Sequence, residues 1–496
     1  MKSLCLFVLF FPLITSATTT PVPLSNATAT RTEHDLLGNK EVPAEAYYGV
    51  QTARALENFQ ISGVGINHYP GFVEGFAMVK IAAARANAKV GGLEKGRLQA
   101  IEKAGFAVID GKYLDQFNVD WYQGGAGTSA NMNVNEVLAN IGLEMMGHQK
   151  GEYKYLDPHD DLNRSQSTND SYPTAIKVAL ILRNARLISE LERLVTAFRE
   201  KGNQYLKVTK MGRTELQDAV PMTIGQEFHA FAASVESEIN VLKEAEKNLY
   251  AVNMGATAIG SGINVPKGYN EAVARELKDL VKRPIVPAKD MFAATWDQQG
   301  FVAYSSALKS VAVKLSKISS DLILLGSGPR AGLSEINLPA VQPGSSIMPG
   351  KVNPVIPEVV NVIAFRVMGN DVAVSTAAHS GQLQLNAYEP LEGLAMMESQ
   401  HLLFKGSGLL TDKCVKGITV NEKVLAHYME TTVGIVTALN PVVGYEKATE
   451  LANEAYKSGK GILQIIREKK ILNEKQISEL LNPEKLTNLK KENYRL

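Results

Sequence analysis

The chain has 496 residues, 45% of which are hydrophobic, and its 52 basic and 51 acidic residues leave a net charge of +1. That length exceeds what one hydrophobic core normally serves, so more than one domain is expected. Because no long basic run is interleaved with aromatic residues, the composition argues against nucleic acid as a partner.

The first 17 residues have the pattern of a secretory signal peptide. Lys2 supplies an early positive charge, residues 4–14 are apolar, and residues 15–17 are small. The apolar run is too short for a stable membrane span, and the absence of arginine before Arg31 argues against a mitochondrial transit peptide. We therefore predict a secreted chain, or one that enters the secretory pathway. Residues 18–33 are rich in Thr, Pro, Ser and Ala and are predicted to form a disordered leader.

Three domains are predicted in the rest of the chain, and the fold class is mainly α. Residues 34–168 are predicted to form an N-terminal helical domain. Residues 169–420 contain long helical patterns, among them residues 175–194 and 301–325, that are apolar around much of their circumference. Such helices must bury more than one face, so we expect a long central helix bundle that also mediates oligomerisation. Residues 421–496 are predicted to form a small C-terminal helical domain.

The cysteines and histidines indicate no metal site. Cys5 lies in the predicted signal peptide, so only Cys414 would remain in the mature chain, and a single cysteine usually behaves as a small hydrophobic residue. The eight histidines include no pair with the close spacing of metal ligands. No metal is therefore expected.

Four loops combine small polar residues in a way that suits a dicarboxylate ligand. They span residues 124–133, 165–170, 211–218 and 344–354. Each by itself could serve as a turn or a helix cap, and that explanation is preferred for Ser129 and Asp170.

The loop 344–354, with the sequence GSSIMPGKVNP, is the most informative of the four. Its glycines let the backbone approach a ligand closely, and its prolines restrict the shapes that it can take. The Ser345 hydroxyl is a poor base near neutral pH, but Lys351 and free backbone N–H groups could stabilise its alkoxide. The plain alternative is a Gly/Pro turn before a helix. The combination of polar groups favours a catalytic loop.

This loop resembles the signature of the fumarase/aspartase superfamily, whose members cleave C–N or C–O bonds to release fumarate. The other three loops also resemble the superfamily in order and spacing, and the resemblance covers about residues 35–482. The stretches GGAGTSANMNVNEV, HQKGEY and MGRTELQDAVP are more similar to the aspartate ammonia-lyases than to the fumarases. The resemblance implies a three-domain, mainly α fold with a long central helix bundle. It also implies a homotetramer with active sites shared between subunits, and no cofactor.

The resemblance implies anti elimination of ammonia from L-aspartate, through an enediolate, to give fumarate. Ser345 matches the family's base. The positions that match the group around the β-carboxylate are Thr128, Ser167, Thr168 and Ser346. Lys351 and Asn353 match residues that hold the α-carboxylate, and Asn169 and Thr214 match positions near the amino and α-carboxylate end.

Glu215 departs from the family pattern, because many members have His there and some aspartases have Gln. A glutamate near the substrate ammonium would favour binding, whereas one near a carboxylate would oppose it unless protonated. Glu358 matches an acidic residue that pairs with the usual His, and it could share a proton with Glu215. We expect Glu215 to favour an amine-bearing substrate over malate. The alternative is that Glu215 disables the site.

Two other functions and one conflict about location stay open from the sequence. The chain could be a fumarate hydratase-like enzyme, or a secreted, catalytically silent lyase fold.

Asn26, Asn163 and Asn169 all lie in glycosylation acceptor patterns. A glycan on Asn169 would block the predicted site. Either folding buries these asparagines before modification, or the chain avoids a glycosylating compartment.

Overall fold

The structure is a computed structural model that describes residues 29–489. It is mainly helical, which confirms the predicted fold class. The helices are α1 (Val50–Asn58), α2 (Phe72–Lys89), α3 (Lys95–Ile109), α4 (Thr128–Met145), α5 (Thr168–Gln204), α6 (Ile224–Glu246), α7 (Tyr269–Val281), α8 (Ala293–Trp296), α9 (Gln299–Leu325), α10 (Val355–His379), α11 (Glu389–Lys413), α12 (Glu422–Thr431), α13 (Val436–Val443), α14 (Tyr445–Ser458), α15 (Ile462–Glu468), α16 (Glu474–Leu480) and α17 (Pro483–Leu486).

The strands between residues 29 and 489 are short and pair only in twos. The pairs are β1 (Thr30–Asp35) with β2 (Gly38–Pro43), β3 (Thr209–Thr214) with β4 (Gln217–Thr223), β5 (Ala251–Val252) with β6 (Val286–Pro287), and β7 (Ile336–Asn337) with β8 (Thr419–Val420). The pair β5–β6 is parallel and the other three pairs are antiparallel. Two strands cannot enclose a core, so the helices provide it.

The predicted leader, residues 18–33, is wrong at its C-terminal end. Residues 30–35 form β1, which pairs in register with β2. Glu33 is buried, and the Arg31 guanidinium donates hydrogen bonds to carbonyl oxygens of the following turn, those of Pro43, Ala46 and Tyr48. Composition could not reveal these long-range partners. The predicted signal peptide and Asn26 lie outside the described residues.

Five long helices form the predicted central bundle. They pack side by side in the order α5, α6, α9, α10, α11, and α11 closes the ring against α5. At its centre the Tyr304 hydroxyl of α9 donates to Oδ1 of Asn184 on α5 and accepts from Nε2 of Gln400 on α11. These hydrogen bonds pair buried polar groups of α5, α9 and α11, which fixes the relative position of the three helices.

The N-terminal helices share one continuous hydrophobic core with the bundle. That core contains residues from Ala55 to Leu425. Within it, α2 packs against both α3 and α5. A second, smaller core is formed by the five helices from α12 through α16 and includes Met211 from β3. The predicted division into three domains stays a prediction, although α12 begins just beyond the boundary expected at residue 420. In the described part of the chain, no helix is long and apolar enough to span a membrane.

Candidate active site

The loop with Ser345 is closed by its own backbone. The Gly344 N–H donates to the Lys351 carbonyl at 2.7 Å, and Nδ2 of Asn353 donates to the Gly344 carbonyl at 2.7 Å. A Cβ at residue 344 would lie 2.6 Å from the Asn353 nitrogen, so the closure requires glycine. The loop then passes through Pro354 into α10. Asn353 therefore holds the loop's shape with one amide hydrogen and retains the other for a ligand.

Ser345 Oγ accepts two backbone hydrogen bonds within this loop. The donors are the N–H groups of Ile347, at 3.2 Å, and Met348, at 2.9 Å. Two N–H dipoles directed at one oxygen favour negative charge on that oxygen. The arrangement fits the predicted alkoxide, and it also resembles an ordinary serine turn. Ser346 and Lys351 are exposed, and Lys351 forms no ion pair within residues 29–489.

Thr128 is the first residue of α4. A tight turn precedes it, with positive φ at Gly125, Ala126 and Gly127. A Cβ at residue 127 would lie 2.5 Å from the ring of Tyr172, so only glycine fits against that ring. The exposed Thr128 Oγ1 donates to the Gly125 carbonyl at 2.8 Å. The turn thus places the threonine hydroxyl at a helix N-terminus, which attracts anions.

Residues 167–169 form the N-terminus of α5. Ser167 is its N-cap, since Ser167 Oγ accepts from the Asn169 N–H and the Asp170 carboxylate accepts from the Ser167 N–H. Asp170 is fully buried and also accepts from the backbone of Thr257, which accords with its predicted structural role. Burial raises the pKa of Asp170 to about 7, against the opposing effect of these backbone donors. Asn169 Nδ2 donates to the Ala258 carbonyl at 2.7 Å.

Asn131 joins the N-termini of α4 and α5. Its Nδ2 donates to Thr168 Oγ1 at 3.1 Å, and its Oδ1 accepts from Lys80 Nζ at 2.7 Å and from Ser171 Oγ at 3.2 Å. Lys80 lies on α2 and is fully buried, and burial lowers its pKa to about 7. This network holds Thr168 in position, and the sequence analysis did not predict it. The one signal for it in the sequence was a lysine inside the otherwise apolar helix 72–89.

Asn163 belongs to the same buried network. Its Oδ1 accepts from Lys80, Asn131 and Asn135, and its Nδ2 donates to the Gln166 carbonyl. A glycan attached to Nδ2 of Asn163 would replace one of its amide hydrogens and crowd this network, so we expect this residue to be unmodified in the folded chain.

Thr214 and Glu215 lie at the exposed tip of the β3–β4 hairpin. Glu215 and Leu216 form its two-residue turn, with φ values of 52° and 62°. Such a turn normally takes Asn or Gly, so two ordinary side chains are costly there. The hairpin is anchored below its tip, where the buried Glu335 pairs with Lys210 at 2.8 Å and with Arg213 at 2.5 Å. Its outward projection is therefore fixed.

The predicted site residues form three separate groups in one chain. Thr128, Ser167, Thr168 and Asn169 meet at two helix N-termini, the second group shares the Ser345 loop, and the third is the hairpin tip. No hydrogen bond or ion pair between residues 29 and 489 joins one group to another. In particular, Glu215 and Glu358 are both exposed and do not bond to each other, so their shared proton stays a prediction.

Residues 29–489 contain no group of three or more His, Cys, Asp or Glu side chains that could hold a metal ion. Cys414 is buried, and burial raises the pKa of its thiol to about 12. Its thiol is therefore neutral and inert in the folded chain.

Family models match most of the chain. A model described as lyase matches residues 38–369, and a model described as fumarase C C-terminus matches residues 435–488. The second match coincides with the small C-terminal core.

Relatives in several bacteria match nearly the whole chain. An aspartate ammonia-lyase of Pseudomonas canavaninivorans is 53% identical over 464 residues, which are 93% of this chain and 98% of that protein. The aspartate ammonia-lyase of Escherichia coli (strain K12) is 50% identical over 457 residues, 92% of this chain and 96% of that protein.

Solved structures share the architecture. The fumarate lyase:delta crystallin from Brucella melitensis bound to cobalt has a TM-score of 0.89 at 48% identity, and covers 92% of this chain and 99% of its own. A class II fumarase from Schistosoma mansoni has a TM-score of 0.85 at 34% identity, over 92% of this chain and 98% of its own. The three loop groups are thus mounted on a scaffold that these enzymes share.

Proposed function

Because the chain belongs to the lyase family of the fumarase/aspartase superfamily, we infer that it is an aspartate ammonia-lyase, which eliminates ammonia from L-aspartate and releases fumarate. The observation that carries this inference is the identity of 50–53% to aspartate ammonia-lyases over more than nine-tenths of the chain. The class II fumarase is 34% identical, so the hydratase alternative is not favoured.

Ser345 is proposed as the base. It would remove a proton from the carbon next to the β-carboxylate, and the electron pair would move into that carboxylate to form an enediolate. The C–N bond then breaks as ammonia leaves from the opposite face. The N–H groups of Ile347 and Met348 support this role, because they lower the free energy of an alkoxide on Oγ.

The two helix N-termini are proposed to hold the β-carboxylate. Thr128 begins α4, Ser167 and Thr168 lie at the start of α5, and Asn131 on α4 bonds Thr168, so these hydroxyls lie at two linked helix N-termini that carry partial positive charge. The enediolate carries more charge on this carboxylate than the substrate does. Donors placed there therefore stabilise the transition state more than the ground state. Ser346 would add a further hydroxyl from the Ser345 loop.

The opposite end of the substrate is proposed to bind Lys351 and Asn353. Lys351 is an exposed cation without an ion pair among the described residues, so it is free to meet the α-carboxylate. Asn353 has one amide hydrogen left after it closes the loop. Asn169 and Thr214 would contact the amino and α-carboxylate end. This scheme requires no cofactor, because the substrate's own carboxylate acidifies the proton.

A homotetramer is proposed as the working form. The support is the separation of the three loop groups, which no single chain joins, and an apolar stripe on α10. In that stripe Val362, Phe365 and Val372 are 61–66% exposed and lie on one helical face. Apolar residues of this size, grouped on one exposed helix face, are expected to be covered by another subunit. Thr214 would then serve a site whose Ser345 belongs to a different chain.

The secretory pathway is proposed as the location, on the strength of residues 1–17. The half-buried Asn163 and Asn169 limit this proposal, because a glycan on either would disrupt the predicted site. Rapid folding before modification would reconcile the two. Mass spectrometry of the mature N-terminus and of both asparagines tests it, and an intact Met1 would refute it.

The activity is tested by following fumarate through its ultraviolet absorbance. With L-aspartate the full chain should turn over at roughly 1–10³ per second, as working enzymes do. L-malate should give far less product. A faster reaction with malate would support the hydratase, and no fumarate from either substrate would support the silent fold.

A further inference from the structure

Residues 253–258, here called the clamp loop, contact Asn169 at both its backbone and its side chain. Nδ2 of Asn253 donates to the Asn169 carbonyl at 3.0 Å, and the Ala258 carbonyl accepts from Nδ2 of Asn169 at 2.7 Å. Residue 173, four positions further along α5, is a proline without an N–H, so it makes no helical hydrogen bond to the Asn169 carbonyl. The clamp loop therefore holds both ends of this residue.

The clamp loop is in turn fastened to α5 by Asp170. Oδ2 of Asp170 accepts from the N–H groups of Gly255, at 3.2 Å, and Thr257, at 2.9 Å. Thr257 has a φ of 57°, a conformation that is costly for a β-branched residue. Such a conformation persists only where the surrounding contacts fix it, and it is typical of functional sites. The position of the clamp loop relative to Asn169 is therefore well defined.

The clamp loop determines which atom of the Asn169 amide is free. Because Nδ2 faces the Ala258 carbonyl, Oδ1 points elsewhere; it accepts no hydrogen bond from residues 29–489 and is accessible to solvent. An ammonium group has three N–H donors and no acceptor, so it bonds the oxygen of an amide and not the nitrogen. Its charge also makes that bond roughly twice as strong as the bond from a neutral hydroxyl. A fixed Oδ1 thus favours an amine.

We propose that Asn253 is a positioning residue for the amino group of the substrate. Asn253 is fully buried, so it contacts no substrate, and within the described part of the chain its side chain bonds only the Asn169 carbonyl. Together with Ala258 it holds Asn169 so that Oδ1 accepts from the ammonium group. This inference rests on the proposed ammonia-lyase function and adds to it a buried residue that selects for the amine.

The test is calorimetric titration of the full, assembled protein with L-aspartate and with succinate, which has both carboxylates but no amine. A Ser345→Ala background prevents turnover during the titration. The ratio of the two affinities measures what the amino group contributes to binding. Asn253→Ala should lower the preference for L-aspartate by about three- to tenfold, the worth of one hydrogen bond. Succinate should bind as it does to the protein with Asn253.

Asn133→Ala is the matched control. Asn133 is also fully buried, and its Nδ2 donates to a backbone carbonyl, that of Gln116, at 3.1 Å. The two substitutions remove the same atoms from the interior, so both should lower the melting temperature, but only Asn253→Ala should change the affinity ratio. Asn253→Thr is the second variant, because it fills nearly the same volume while its hydroxyl is one bond short of the Asn169 carbonyl. It should lower the ratio in the same way without leaving a cavity.

A double-mutant cycle with Asn169→Ala separates positioning from a general loss of structure. Asn169→Ala should lower the affinity ratio by itself, and adding Asn253→Ala should then change it no further, because Asn253 acts only through Asn169. An unchanged ratio in the Asn253 variants, equal weakening of both ligands, or a full additional effect in the double variant would each overturn the proposal.

The failure of this inference is distinguishable from the failure of the proposed function. If the unaltered protein releases fumarate from L-aspartate while Asn253→Ala keeps the affinity ratio, only the role of Asn253 is refuted. If the unaltered protein neither binds L-aspartate nor releases fumarate from it, both are refuted.

Discussion

Asn131 Nδ2 lies 3.1 Å from Thr168 Oγ1, and this hydrogen bond joins the N-termini of α4 and α5. The two helices carry the hydroxyls predicted to surround the β-carboxylate. Their relative position thus depends on an amide outside the set of predicted substrate-binding residues, and Lys80 Nζ holds that amide by donating to its Oδ1.

Substituting Asn131 by Ala should therefore impair both activity and stability. We expect kcat/KM for L-aspartate to fall by up to about 10²-fold, since small displacements of substrate-binding groups are that costly. The free energy of unfolding should fall by about 1–3 kcal/mol, because Lys80 and Thr168 lose a buried partner. Asn133→Ala is the control, because Asn133 is equally buried on α4 but bonds the Gln116 carbonyl. Equal kcat/KM values for the two variants would contradict the positioning role.

Ser345→Ala should abolish most of the activity. Loss of a general base lowers kcat by about 10²–10⁴-fold, with KM little changed because Oγ does not hold the ground state. Ser346→Ala should act more mildly and should raise KM. Stopped assays for fumarate measure both, and thermal unfolding should be unchanged because the loop is largely exposed. If S345A retains more than a tenth of the activity, Ser345 is not the base.

Glu215→Gln tests substrate choice at residue 215. The substitution removes a negative charge from the hairpin tip and keeps the size of the side chain, and the cost of the positive φ of 52° is retained. We expect kcat/KM to fall for L-aspartate and to fall less, or to rise, for L-malate. Glu215→Asp keeps the charge and serves as the control. Unchanged values for both substrates would refute the role of Glu215 in selecting the amine.

Lys80 should give the stability a distinct dependence on pH. Its pKa is about 7 in the folded chain, lowered from 10.5 by burial. Between these values the unfolded chain binds more protons, so the contribution of Lys80 to stability rises with pH, by up to about 1.4 kcal/mol per pH unit. Lys80→Met lacks this titration.

The measurement is the free energy of unfolding by urea from pH 7.5 to 9.5, at one protein concentration. Over this range the stability of the unaltered protein relative to Lys80→Met should increase steadily. A constant difference would mean that Lys80 keeps an ordinary pKa. The range stays above the pKa of Asp170, which is about 7, so that its carboxylate is largely ionised throughout.

Phe365→Asp should separate the subunits and remove the activity. Phe365 is 61% exposed on α10, and in the proposed tetramer a carboxylate there would be buried against a partner subunit, which costs free energy. Sedimentation velocity should show smaller species, and fumarate production should be lost with them. Leu36→Asp is the control, since Leu36 is 98% exposed on the β1–β2 turn, away from the bundle. A fully active Phe365→Asp monomer would exclude shared active sites.

Much of the helical architecture was predictable because it depends on local periodicity. The pattern in residues 301–325 matches α9, which begins at Gln299 and ends at Leu325. The pattern in residues 175–194 predicts only part of α5, because α5 extends through Pro173 to a cap at Ser167. Pro173 lies in the second turn of the helix and removes one backbone hydrogen bond, but the Asn169 carbonyl that would have accepted it accepts from Asn253 Nδ2 instead.

The sequence by itself determined the mainly α fold and the Gly/Pro loop around Ser345, since helical periodicity and backbone restriction are local properties. The tertiary structure alone decided which helix N-termini meet, that Lys80 and Asn131 hold them, and that β1 starts at Thr30 within the predicted leader. It also decided that the Ser345 loop and the Thr214 hairpin are not joined within one chain. Partners of this kind are distant in sequence, and their free energy comes from burial and hydrogen bonds that no local pattern encodes.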